Sequence, residues 1–195
     1  GVLTVEWGSN VLCAATNSPV TNGLERYTCT GWAGSGSVSN TGEGITAGPF
    51  TLEADSEIIW QWGTEYWLEV EVGAYGSVDT PSGWYVGQTN LRATPEPHSS
   101  FVGWTGDTNG LIMVGNLIAV PMDRPYTIGA VFKRDERTFT IESAWGGSVP
   151  AVGTYVYDYG STITCFITNS PIYQGVSATQ IVCAGYSGTD GIGQG

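Results

Sequence analysis

Hydrophobic and polar residues alternate in short runs along the whole chain, and those runs predict strands. Leu3, Val5 and Trp7 alternate with smaller or polar neighbours, a period of two that marks a half-buried strand. Residues 11–16 predict the next, with Val11, Cys13 and Ala15 on one face. A turn follows over 19–23 around Asn22-Gly23, then a strand over 26–30. Residues 35–49 are rich in Gly and Ser and read as a loop. Strands over 50–54 and 57–62 come next, with a turn at Asp55-Ser56. The cleanest alternation places Tyr66, Leu68, Val70 and Val72 against Trp67, Glu69 and Glu71. A turn region over 73–83 precedes Trp84-Tyr-Val-Gly87, and strands are expected over 91–94, 117–120 and 126–132, with Asp123 at a turn. After a charged joint over 133–137, strands are expected over 139–142 and 153–160, where Tyr155, Tyr157 and Tyr159 take the face of Leu3, Val5 and Trp7.

One short pattern occurs three times, at intervals of about 70 to 80 residues. It reads Cys29-Thr-Gly31-Trp32-Ala-Gly34, then Phe101-Val-Gly103-Trp104-Thr-Gly106, then Cys183-Ala-Gly185-Tyr186-Ser-Gly188. Self-similarity at that spacing predicts a tandem array of small strand-rich modules with these residues as a core knot. The expected modules are 1–63, lacking a first strand, 64–133, complete, and 134–195, lacking closing strands. Residues 1–8 match 153–160, and 9–19 match 161–171, including Thr-Asn-Ser-Pro in both. Gly1-Val-Leu-Thr-Val reads as mid-domain strand and not as a signal peptide. Two readings of the open ends stand. The residues are a window on a longer array, or the ends pair with neighbouring chains by strand addition. The second meets a difficulty, since end-to-end joining duplicates central strands that both outer modules already hold.

Composition narrows the function classes. Gly numbers 29 among 195 residues, and Trp, Tyr, Thr, Val and Ile are plentiful, which is a turn-rich all-β composition. The net charge is -12, from 18 Asp and Glu against six Lys and Arg. Such a surface repels phosphate backbones and anionic lipid, so nucleic acid partners are not expected. No apolar run approaches the ~18 residues that span a bilayer, so membrane insertion by a helix is not expected either.

The four cysteines fall at matching places, Cys13 with Cys165 and Cys29 with Cys183. Aligning the middle module puts Leu91 and Phe101 at those two places, so a cysteine pair is exchanged for an apolar pair. That predicts buried disulfides Cys13–Cys29 and Cys165–Cys183, with free buried thiols as the alternative. Each bridge is worth about 3 kcal/mol in the chain-entropy picture and implies export. A metal site wants clustered ligands, and the chain has one His and no Cys-x-x-Cys.

Candidate chemistry is sparse. Glu53, Asp55 and Glu57 surround a turn, and Glu69 with Glu71 share a strand face, where acids are simply solvated. Asp107-Thr-Asn-Gly110 and Asp190-Gly191 offer oxygen ligands for calcium, but Asx-Gly turns account for them without metal. His98 has no placed partner for a triad, and Lys133 lies in a joint and not in a core strand where an isopeptide crosslink forms. No cofactor and no catalysis are expected. Trp67 and Trp84 are the candidate glycan platform, set against a packing role.

The middle module, with Tyr66-Trp-Leu-Glu-Val-Glu-Val, Gly83-Trp-Tyr-Val-Gly87, the Phe101–Gly106 knot and Ile128-Gly-Ala-Val-Phe132, resembles the divergent internalin-type B-repeat, the bacterial repeat of long surface and secreted proteins. The resemblance implies a compact, β-grasp-like module acting as a stalk, spacer or adhesive repeat outside a bacterial cell. It carries no catalytic residues to transfer. Expected partners are neighbouring repeats or identical subunits, with a glycan or cell surface as the binding alternative.

Overall fold

The computed structural model describes residues 1–38, 41–175 and 179–188. Those residues contain no helix, and the architecture is all-β, built of many small sheets. The grasp-like expectation therefore holds only as far as the sheets; no helix lies among the described residues for a sheet to grip. The chain forms two compact units, residues 1–133 and residues 134–195.

In the first unit the strands are β1 (Ser9–Ala14), β2 (Val20–Asn22), β3 (Glu25–Ser35), β4 (Thr41–Glu43), β5 (Thr46–Leu52) and β6 (Glu57–Val72). They continue with β7 (Gly76–Val78), β8 (Gly83–Tyr85), β9 (Thr89–Pro95), β10 (Ser99–Gly106), β11 (Ile112–Val114), β12 (Leu117–Val120) and β13 (Tyr126–Arg134). The spine is a seven-stranded sheet ordered β10-β13-β6-β3-β2, with β4 on β3 and β8 on β6. A four-stranded sheet, β11-β12-β9-β7, and the β1-β5 pair complete the unit.

β6 organises this unit. The alternating pattern predicts two strands with a break at Gly63, but the backbone runs through as one strand of 16 residues. Gly63, Thr64 and Glu65 sit opposite Thr28, Tyr27 and Arg26 on β3, so the antiparallel ladder has no gap at the glycine. At Tyr66, which still faces Glu25 of β3, the strand takes further partners. Tyr66 to Leu68 pair with β8, and Leu68 to Val72 pair in parallel with β13. Leu68 lies where both partners meet and is fully buried.

Three apolar clusters make up the core of this unit. The largest gathers Leu68, Leu91, Ile118, Val120, Met122, Tyr126 and Ile128. Ala93, Ala130 and Phe132 form a second cluster with Phe101 and Trp104 against it. At the other end Trp32, Val38 and Ala47 pack with Phe50, Ile58 and Trp60. The region 35–49, expected as loop, holds β4 and the start of β5. Gly42 on β4 lies beneath the Trp32 indole, a contact only a residue without a side chain permits.

The second unit contains β14 (Glu136–Ile141), β15 (Ser148–Val149), β16 (Gly153–Asp158), β17 (Phe166–Ile167), β18 (Ile172–Gln174) and β19 (Thr179–Ile181). They form three two-stranded pairs, β14-β16, β15-β17 and β18-β19. Along β16, Tyr155 and Tyr157 are half-buried while their neighbours are exposed, as the alternation predicts. One expected strand does not form, over residues 1–7 before β1. A strand needs a ladder partner for its backbone polar groups, and that stretch has none among the described residues.

Candidate functional site

Each feature singled out by sequence has a definite place. Trp67 and Trp84 meet as a directly opposed pair across β6 and β8. Their rings are edge to face at 5.4 Å, both half-buried. The Arg26 guanidinium lies 4.9 Å from the Trp84 ring centroid and forms an ion pair with Glu65, which also accepts from Thr28 Oγ1 at 3.2 Å. The Trp67 indole N–H donates to Glu69 Oε2 at 2.8 Å. The pair is thus built into a network of Arg26, Glu65 and Glu69, and is not two coplanar rings laid open for a sugar. Edge-to-face geometry is what cross-strand aromatic packing favours.

The knot residues split three ways. Trp32 is 6% exposed and stacks edge-on with Phe50 at 5.4 Å. Trp104 meets Phe101 at 5.4 Å, and Phe101 meets Phe132 at 5.7 Å. Both indole nitrogens are buried without a hydrogen-bond partner, so these rings serve by packing. Gly31 is required, because a side chain there would strike the Gly42 carbonyl. Gly106 is required twice over, by φ of +84° and by the Thr127 carbonyl against it. Gly34 sits opposite Ile58, while Gly103 has open space where a side chain would lie. The third knot departs from expectation. Tyr186 is 63% exposed, Gly185 is exposed and Gly188 is half-buried, because no described strand closes over them as β6 closes over β3.

The expected disulfides are not seen. All four are free thiols. Cys29 is buried and its thiol donates weakly to the Gly31 and Gly44 carbonyls, at 3.5 and 3.9 Å. Cys13 packs at the margin of the Trp32 cluster. Cys165 and Cys183 are exposed. Strand position also revises the alignment. Counted from the starts of β1 and β9, Val11 takes the place of Leu91 and Cys13 that of Ala93. Ala93 does share a cluster with Phe101.

Local bonds recur between the two units. Ser9 N–H donates to Glu6 O at 3.1 Å, and Ser161 N–H to Asp158 O at 3.0 Å. Cys29 and Cys183 N–H each donate to a serine hydroxyl oxygen, of Ser18 and Ser170, at 2.9 Å. Tyr85 and Tyr155 each donate to the carbonyl four residues back, at 2.8 and 2.7 Å.

Glu53, Asp55 and Glu57 are exposed around their turn. Asp107 spends a carboxylate oxygen on Thr127 N–H at 2.9 Å. Asp190-Gly191 lie outside the described residues. His98 and Lys133 are exposed. No group of three or more metal-ligating side chains occurs among the described residues. A cleft of about 180 Å³ in the second unit is lined by Trp145, Ile167, Ile172 and Ile181, with no acid or imidazole.

Residues 66–136 match the family model of the divergent InlB B-repeat domain. No curated protein matches the chain, and no solved structure does.

Proposed function

We propose that this chain, whose residues 66–136 match the family model of the divergent InlB B-repeat domain, is a non-enzymatic structural segment of a bacterial surface or secreted protein. Domains of that family are typically surface or structural parts of bacterial proteins. The observation that carries the reading is β6. One unbroken strand closes the sheet of residues 1–63 and opens that of 64–133, so the two halves share a backbone ladder instead of a linker. A stalk or spacer needs that continuity, because load passes along the strand and not across a hinge. In this reading 1–63, 64–133 and 134–195 are tandem modules, and the partners are neighbouring repeats or identical subunits. The net charge of -12 supports a role away from nucleic acid and anionic membrane.

The adhesive alternative places a glycan on Trp67 and Trp84. The network that holds them supports packing instead, since Arg26 already covers part of Trp84. Antibodies against residues 1–133 should label unpermeabilised cells of the source bacterium in either reading. One assay on the intact chain separates the two. Soluble glycans should leave tryptophan fluorescence unchanged. A saturable change that Trp84→Ala abolishes would replace the structural reading with the adhesive one.

A further inference from the structure

Residues 64–133 begin in β6 and end in β13, and those two strands lie side by side. Leu68 to Val72 pair in parallel with Tyr126 to Ala130, in five consecutive registered pairs. The Gly73 N–H extends the ladder by donating to the Ala130 carbonyl at 3.0 Å. The β3–β6, β9–β12 and β14–β16 ladders are antiparallel. Direction decides how a ladder meets a pull. In a parallel pair both strands start at the same end. Tension that enters β6 before Leu68 and leaves β13 beyond Ala130 therefore slides one strand along the other. The bonds of a parallel ladder are evenly spaced along the strands, so they carry such a load together. A pull that parts the strands at one end loads them one after another.

The surroundings suit this ladder to load. Leu68, Tyr126, Ile128 and Ala130 are all buried. Excluding water strengthens the main-chain bonds and removes the competitor that would replace them. β13 is also tied on its other side. Thr127 N–H donates to Asp107 Oδ2 at 2.9 Å, and the Thr127 carbonyl accepts from Asp107 N–H at 2.8 Å. Past Ala130, the Phe132 ring lies so close against Gly76 that no side chain would fit there. On β6, Val70 N–H donates to Ser82 Oγ at 2.8 Å, which fastens the strand to the segment leading into β8.

We propose that the β6–β13 ladder is a shear clamp, which gives residues 64–133 a mechanical strength that depends on the direction of pull. The strong direction runs from the start of β6 to the end of β13, the path that chain tension takes through these residues. Its use in a stalk rests on the structural reading above, while the clamp itself has its own test.

The intact chain is pulled in a single-molecule force experiment through two alternative pairs of attachment points. Clickable side chains replace Gln61 and Lys133 in one version, and Ala74 and Lys133 in the other. All three positions are exposed, so the handles leave the core untouched. Gln61 with Lys133 shears the ladder. Ala74 with Lys133 opens it from the end where Val72 meets Ala130. Forced unfolding reads the unfolding barrier, so the two versions compare direction of pull on one fold. At the same loading rate the clamp predicts a rupture force in shear several times that in opening. The sheared chain should hold until one step releases about 72 residues, about 250 Å at ~3.3 to 3.6 Å each. Equal forces in the two directions, or a smaller force in shear, overturn the clamp. Release in several shorter steps under shear also overturns it, because another contact then yields first. A glycan response at Trp84 would overturn the structural reading and leave the force comparison unchanged, so the two failures are distinguishable.

Discussion

Leu68→Ala tests whether residues 1–133 behave as one body. Leu68 is fully buried among Leu91, Ile118, Val120, Met122, Tyr126 and Ile128. The substitution removes three carbons, about 2.4 kcal/mol at ~0.8 kcal/mol each. The residual cavity adds about 1 kcal/mol, since two sheet ladders hold the backbone around it and limit collapse. The total is about 3 to 4 kcal/mol, and for a unit of this size the melting temperature should fall by roughly 10 to 15 °C. The informative readout sits elsewhere. Cys29 lies on β3, in the half that Leu68 does not touch, and is only 5% exposed. In a Cys13→Ala, Cys165→Ser, Cys183→Ser background, its labelling rate through a urea series reports unfolding of that half. If β6 couples the halves, the Cys29 labelling midpoint shifts with the circular-dichroism midpoint. A Cys29 midpoint unmoved by Leu68→Ala would refute the coupling, because the half holding Trp32 would then melt alone.

Three further outcomes follow from single sites. Denatured chain that has never met reductant should titrate as four thiols, in line with the free cysteines; a count of two or none would contradict the geometry of Cys29 and Cys13. Gly106→Ala should cost about 2 kcal/mol in urea denaturation, from positive φ and the Thr127 carbonyl, while Gly103→Ala should be nearly neutral; equal costs would refute the knot assignment. Burial, and then the bond donated to Asp123 Oδ1 at 2.9 Å, raise the Tyr126 pKa above its usual 10.0. Its raised native pKa gives stability that is complete below the unfolded value and lost as pH rises through the native one. Urea midpoints measured upward from about pH 9 should therefore fall on the alkaline limb, and Tyr126→Phe should flatten that fall; an unchanged limb would remove Tyr126 as its cause.

Much of the fold was legible because a half-buried strand writes its own period. Val11 and Cys13 do share the inward face of β1, Ala15 just beyond its end is half-buried like them, and Leu68 is the buried centre its alternation implied. Trp32 and Trp104 are the packed aromatics that the glycine-flanked pattern suggested. The continuity of β6 was not legible, since Gly63 reads as a breaker until Thr28 is known to lie opposite it. Nor was the parallel β6-β13 pairing, which joins residues far apart in the chain and leaves no local mark. The alignment of the cysteines was not legible either: a shift of two residues keeps the same face of a strand, so alternation cannot separate Leu91 from Ala93 as the counterpart of Cys13. The exposed third knot shows the same limit. Its sequence matches, but burial depends on a covering strand.

The most direct test of the structural reading is to pull the intact chain by its two ends in a single-molecule force experiment. If β6 makes residues 1–133 one load-bearing body, they unfold in a single step that releases on the order of 400 Å of chain, at about 3.3 to 3.6 Å per residue. Two separate steps, each about half that length and dividing near Gly63, would show that the halves yield independently and would contradict the account.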